Sequence, residues 1–135
     1  MKLYSWVIVG TLLCLTSCNE DVTMTTVHDN LNAPVSTNVF NSFTYSINAN
    51  RYSDKNLNDL TFLSDSLVVT LSSSGYYSGQ AILTVSDSLH ALIFSDTIKS
   101  NKTVTLINLK IKRPRYCSID ITNLTAKLAF VIVGQ

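Results

Sequence analysis

From Val39 onward the chain alternates between apolar and polar positions. Val39, Phe43, Tyr45, Ile47 and Ala49 fall on one face of an extended segment, and Ser42, Thr44, Ser46 and Asn48 on the other. This is the period of two that a half-buried strand requires. The same pattern predicts strands over Leu60 to Leu63, Leu67 to Ser72, Ala81 to Ser86, Ala91 to Ile98, Thr103 to Lys112, Tyr116 to Thr122 and Thr125 to Val133. The breaks between them fall at turn-forming residues. Within Thr103 to Lys112 the apolar phase slips by one, from Val104 and Leu106 to Ile107, Leu109 and Ile111, as a bulge requires. Ala126 to Val133 is apolar on both faces, so a covered position or an interface is expected there.

No helical period is sustained after the N-terminal segment, and no internal repeat is present. The expected fold class is therefore all-β. Short strands at this spacing resemble an immunoglobulin-like or fibronectin-like domain, which implies a single antiparallel β-sandwich of Greek-key type over residues 38–135. A jelly roll or a small barrel is the competing architecture. The preceding stretch, from Asn19 through Asp21, His28, Asn30, Asn32 and Pro34, has no sustained period and reads as a tether ending near residue 37.

The first seventeen residues follow a different logic. Lys2 is their only charge, an apolar run from Trp6 to Leu15 follows, and small residues close the segment. That is the order of a secretory signal, expected to form a helix and to be cleaved. The apolar run is about half of the roughly 20 residues that a membrane-spanning helix needs. Leu15, Thr16, Ser17 and Cys18 resemble the lipobox of bacterial lipoproteins: an aliphatic residue, two small ones, then cysteine. The resemblance implies cleavage between Ser17 and Cys18, a diacylglycerol on the Cys18 thiol, and acylation of the new amine. One acyl chain binds a membrane only marginally, so several chains on one cysteine are what make such an anchor stable. Asn19, Glu20 and Asp21 resemble the acidic export signal of surface lipoproteins in Bacteroidetes-type bacteria. The triplets Asp65-Ser66-Leu67, Asp87-Ser88-Leu89 and Asp96-Thr97-Ile98 resemble the O-glycosylation sites of that group. In a eukaryotic setting, Asn101-Lys102-Thr103 and Asn123-Leu124-Thr125 are the N-glycosylation pattern instead.

Charge and cysteine content narrow the functional classes. The leader carries one of the ten basic residues and none of the nine acidic ones, so nine of each remain after cleavage. A balanced chain has no global pull on nucleic acid, whose binding depends on neutralising phosphates. Of three cysteines, Cys14 leaves with the leader and Cys18 carries lipid, so the domain has no pair for a disulfide. Cys117 shares a strand face with Ile119 and Ile121 and reads as a small buried hydrophobe.

The chemistry-bearing residues are sparse. Asp54, Asn56, Asn58, Asp59 and Asp65 approach the spacing of a calcium loop, but Asp59 stands where the sharp turn needs glycine, and Asp65 is short for the closing bidentate Glu. A polar solvated loop is the expected reading, and no metal or cofactor is assigned. Lys110, Lys112, Arg113 and Arg115 form a basic group that can meet anionic glycan or headgroups, or can discourage edge-to-edge strand pairing. Tyr76 and Tyr77, between Gly75 and Gly79, are candidates for sugar stacking or for packing across a hairpin. His28 lies in the tether, His90 follows Asp87 and Ser88 at a turn, and no serine has a nucleophile-elbow context.

The expectation is a lipid-anchored protein of the bacterial cell envelope, on the outer membrane and facing either the periplasm or the surface. Its domain is expected to be non-enzymatic and to bind an envelope protein or a glycan. A structural subunit of an outer-membrane or secretion assembly is the alternative. A small hydrolase using Asp54, Asp59, Asp65, Asp87 and Asp96 is a third reading.

Overall fold

A computed structural model describes residues 30–108 and 113–135. The leader, Cys18, the acidic residues behind it, His28, Lys110 and Lys112 lie outside the described residues. Among the described residues there are six strands: β1 (Val35–Val39), β2 (Ser42–Asp59), β3 (Leu67–Ser86), β4 (Leu92–Ile98), β5 (Lys102–Asn108) and β6 (Tyr116–Gly134). They form one antiparallel sheet in the order β1-β2-β6-β3-β4, with β5 also pairing β3. The chain is all-β, as its alternation predicts, but its strands are joined in a single sheet rather than in the two separate sheets of the immunoglobulin pattern. β1 begins within the stretch read as tether.

Three strands are much longer than expected. Leu67 to Ser72 and Ala81 to Ser86 belong to one 20-residue strand, and Tyr116 to Thr122 and Thr125 to Val133 to one of 19 residues. The breaks between these segments are real, but they are bends and not turns. Arg51, Gly75, Gly79 and Asn123 all take positive φ, and the β2–β6 and β3–β6 registers shift beside them. Extra residues of this kind bend a strand and leave ladder groups unpaired. Hydroxyls take up the loss: the Arg51 N–H donates to Thr125 Oγ1 at 3.0 Å, and the Asn123 N–H to Ser53 Oγ at 2.8 Å. In β6 the bend also shifts the buried phase from Cys117, Ile119 and Ile121 to Leu124, Ala126 and Leu128, so one face stays inward throughout.

The bends fold the sheet onto itself. Val85 is the partner of Phe94, and Leu71 the partner of Phe130. On a straight β3 those two partners would be roughly 45 Å apart. Yet the Phe94 and Phe130 rings stack at 6.3 Å with planes 20° apart. The Asn41 N–H likewise donates to the Thr61 carbonyl at 2.9 Å, although the whole of β2 separates them. A five-strand half (β1, the start of β2, the end of β6, the start of β3, and β5) therefore faces a four-strand half (the end of β2, the start of β6, the end of β3, and β4). Their shared inner face holds one core in which Phe43, Phe130, Leu60, Leu71, Leu83, Ile119 and Leu124 are fully buried. Full burial of each such side chain contributes about 1.5–3 kcal/mol.

Two local expectations change. Leu60 to Leu63 is not a strand. Leu60 and Phe62 are buried and Thr61 and Leu63 exposed, but the backbone bonds go to Arg115 and Asn41 instead of a neighbouring strand. Asp54 to Asp59 is strand and not loop. Its polar inward positions are tolerated because this part of β2 is the outer edge of the four-strand half, where Asp54, Asn56 and Asn58 stay partly exposed.

Candidate functional site

The folded sheet has two different ends. At the bend the N-terminal segment enters: Leu31 bridges to Asn48, the Asn32 N–H donates to the Asn48 carbonyl at 2.8 Å, and the Asn32 and Asn50 groups bond reciprocally. β1 then runs away from the bend, so its turn into β2 sits at the opposite, open pole.

Asn41 organises one side of that pole. Its φ of 55° is a conformation Asn tolerates better than most residues. Its side-chain oxygen accepts from the Leu63 N–H at 2.8 Å, and its carbonyl accepts from the Gly134 N–H at 2.8 Å. The turn, the crossing segment 60–66 and the end of β6 are thereby joined at one residue. Phe40 and Leu63 are left 60% and 59% exposed beside it, with Val39 similarly open.

Asp87 organises the other side. It is buried, and one carboxylate oxygen accepts from both the Leu89 and Ala91 N–H groups at 2.8 Å. The His90 N–H donates to the Asp87 carbonyl at 3.0 Å, and the His90 ring stacks on Tyr116 with centroids 4.6 Å apart. This tight turn pushes Leu89 and Leu92 into solvent, 78% and 65% exposed. Arg113 and Asp65 form an exposed ion pair at 3.1 Å. The Arg115 guanidinium donates to the Leu60 carbonyl at 3.3 Å, while its backbone bonds both Leu60 and Ser86. Arg113 and Arg115 are thus at the open pole, each with a partner.

The other sequence candidates are dispersed. Tyr76 and Tyr77 are at the bend, far from the arginines, and they do not form a shared platform. Tyr76 packs against the core and its hydroxyl donates to the Gly79 carbonyl at 2.9 Å, whereas Tyr77 is 83% exposed. The five aspartates do not converge. Asp54 accepts from the Tyr52 hydroxyl and the Asn56 amide, Asp65 pairs Arg113, Asp87 caps its turn, and Asp96 pairs Lys102 at 2.6 Å. Asp59 ends β2, exposed. Among the described residues no group of three His, Cys, Asp or Glu is placed to hold a metal. Ser88 is exposed in the Asp87 turn, while Ser66 and Thr97 are half-buried.

Two buried groups have shifted acidities. Burial pushes the Cys117 thiol up from 9.0 to about 12. Burial, then the neighbouring Tyr52 and Asp54, raise the Tyr45 hydroxyl above its ordinary value. Both favour the neutral form, as desolvation of an acid requires.

The exposed apolar residues of the pole are what sequence reasoning missed. The usable signal was an apolar residue inside a turn: Phe40 before Asn41, and Leu89 between Ser88 and His90. A search for strand periodicity assigns such residues to the nearest strand or ignores them. No protein family and no curated protein matches this chain.

Proposed function

We propose that the protein is a lipid-anchored component of the bacterial cell envelope, held by acyl chains on Cys18, whose domain binds an envelope protein or a glycan without catalysing a reaction. The observation that carries this reading is the polarity of the domain. The chain enters at the bend, and the exposed Phe40, Leu63, Leu89 and Leu92 stand at the opposite pole with the Arg113–Asp65 pair. Isolated exposed apolar residues are ordinary, but several gathered at one end of a domain are typical of a contact surface. A tether at the bend holds that surface away from the membrane.

Intact-mass analysis of membrane-extracted protein, wild type against Cys18→Ala, tests the anchor. A mass fitting acylated residues 18 to 135, lost in the variant, supports it, and an unlipidated soluble product removes it. Protease accessibility on whole cells assigns the face of the membrane. For the domain, Phe40→Ser and Leu89→Ser should abolish capture of a cell-surface partner without altering the fold. Turnover of a glycan or peptide that one Asp substitution abolishes would instead establish the hydrolase reading.

A role as structural subunit of an envelope assembly is the second reading. It is favoured by the outer face of β6, where Val131 and Val133 are only partly covered.

A further inference from the structure

The two halves of the sheet differ sharply on their outer faces. Across the four-strand half, Lys55, Asp120, Ile82 and Thr97 form one cross-strand row, with a Lys55–Asp120 ion pair at 3.6 Å, and Asp59 lies on the same face. That is an ordinary solvated surface. Across the five-strand half, the register aligns Thr37, Thr44, Val131, Thr70 and Thr105 in a single row. The row toward the pole runs from Val39 through Val133 and Val68 to Ile107, and the row toward the bend from Val35 through Ala129 to Thr103. None of these positions is charged. No Asp, Glu, Lys or Arg occurs anywhere from Asn30 to Asn50. Among the described residues, Lys127 is the first charge met on this face, one row further toward the bend.

We propose that this face is a homodimer interface, occupied by the same face of a second copy of the chain. Three observations select a second copy. A face of Val, Thr, Ser and Ala meets its own image with no like charges opposed, and it offers no charge pattern by which a different partner would be chosen. Its methyls and hydroxyls project to similar heights, which suits sheet-on-sheet packing about 10 Å apart. Its size is adequate: five strands and three rows span roughly 20 Å by 20 Å in projection. The accessible area of a corrugated face exceeds its projection, and the exposed Ile107, Val35 and Val39 extend it at the edges. That approaches the roughly 600 Å² per partner at the lower end of specific interfaces. A two-fold axis parallel to the strands brings β6 against β6 and leaves both N-terminal segments at the same end. Two copies tethered to one membrane need that arrangement, which is the one point resting on the anchor proposed above.

The test is sedimentation equilibrium of the full chain in density-matched detergent, reading protein mass and not acylation, so it stands apart from the test of the anchor. Ala129 is exposed on the central strand, in the row of this face toward the bend, and charge there does not disturb the core. The expected result is a reversible wild-type dimer, with Ala129→Lys and Ala129→Asp each weakening it at least tenfold while melting as wild type does. An equal mixture of the two variants regains the dimer, because an isologous contact then opposes Lys to Asp. Ile82→Lys, on the other half, leaves the dimer intact. A wild-type monomer at about 100 µM, weaker than an interface of this size should be, would overturn the proposal. So would a dimer that survives both Ala129 charges, or a different protein co-purifying with wild type and lost from the Ala129 variants.

Discussion

Phe94 of β4 stacks on Phe130 of β6 at 6.3 Å, joining two points of one sheet that hydrogen bonding alone would leave far apart. Phe130 also meets Phe43 edge-on at 6.3 Å, so a three-ring cluster spans both halves. Its role is to hold the fold closed against the cost of bending three strands at once. Phe130→Ala should therefore destabilise the protein by about 3–5 kcal/mol in denaturant unfolding. A double-mutant cycle with Phe94→Ala should show about 0.5–1.5 kcal/mol of coupling. Coupling near zero would mean that the halves are held together elsewhere.

How far the sequence led can be judged at Asn123. Alternation placed Cys117, Ile119 and Ile121 on one face, which is buried, but left Ala126 to Val133 apolar on both faces; the structure buries Leu128, Phe130 and Ile132 there, in the opposite phase. A period-two pattern cannot tell a bend from a turn, since both interrupt the phase and both favour Asn and Gly. The difference lies in where the backbone partners are. Asn123 bonds Ser53, a residue remote in sequence, and nothing local encodes that. For the same reason Asp54 to Asp59 looked like a loop: polar residues at inward positions are legible as strand only once the edge is known. The candidate surface was half visible. Arg113 and Arg115 were found by their charge, whereas Phe40, Leu63 and Leu89 became a group only when the fold brought three connections to one pole.

Gly79 and Gly75 separate two reasons for using glycine at the bend. Both have positive φ, 82° and 61°. A Cβ on Gly79 would strike the Asn123 carbonyl, whereas one on Gly75 meets nothing. Gly75→Ala should cost about 1 kcal/mol, the backbone term alone. Gly79→Ala must also push β6 away from β3 and should cost several times more. Equal losses by chemical denaturation would show that the close approach of the strands is not needed.

Asp87 is buried and serves two backbone donors of the turn that displays Leu89. Asp87→Ala leaves those N–H groups to find other partners and should destabilise by about 1–3 kcal/mol. Because the turn also positions Ser88, Leu89 and His90, the loss should appear first as faster amide exchange at residues 88 to 91, ahead of any change in the core. Uniform loss of protection across the sheet would instead make Asp87 a core residue and not a turn organiser.

The Tyr45 hydroxyl is buried with no hydrogen-bond partner among the described residues. Desolvation without compensation costs free energy, so Tyr45→Phe should raise stability by about 1 kcal/mol at neutral pH. Its pKa is raised, so the folded state keeps a proton that the unfolded state loses above about pH 10. Wild-type stability should fall with rising pH there, and the Phe variant should fall less. A Phe variant less stable than wild type at pH 7 would show that the hydroxyl is bonded in solution.

Cys117 gives the clearest pH signature. Its thiol is fully buried between Leu57 to Asp59 of β2 and the end of β3, and burial pushes its pKa from 9.0 to about 12. Below pH 9 the thiol is protonated in both folded and unfolded chains and contributes no pH dependence. Between pH 9 and about 12 the unfolded chain ionises while the folded one does not, so proton release favours unfolding. Stability should then fall with a slope approaching about 1.4 kcal/mol per pH unit, up to a total of about 4 kcal/mol. Cys117→Ala should lower stability slightly at pH 7, through the small cavity it leaves, and should remove this contribution from the curve. The comparison is of wild type and variant melted at each pH from 8 to 11, because their difference cancels the tyrosines. A constant difference across that range would mean that the thiol ionises freely in the folded protein, and thiol reagents should then modify it without unfolding.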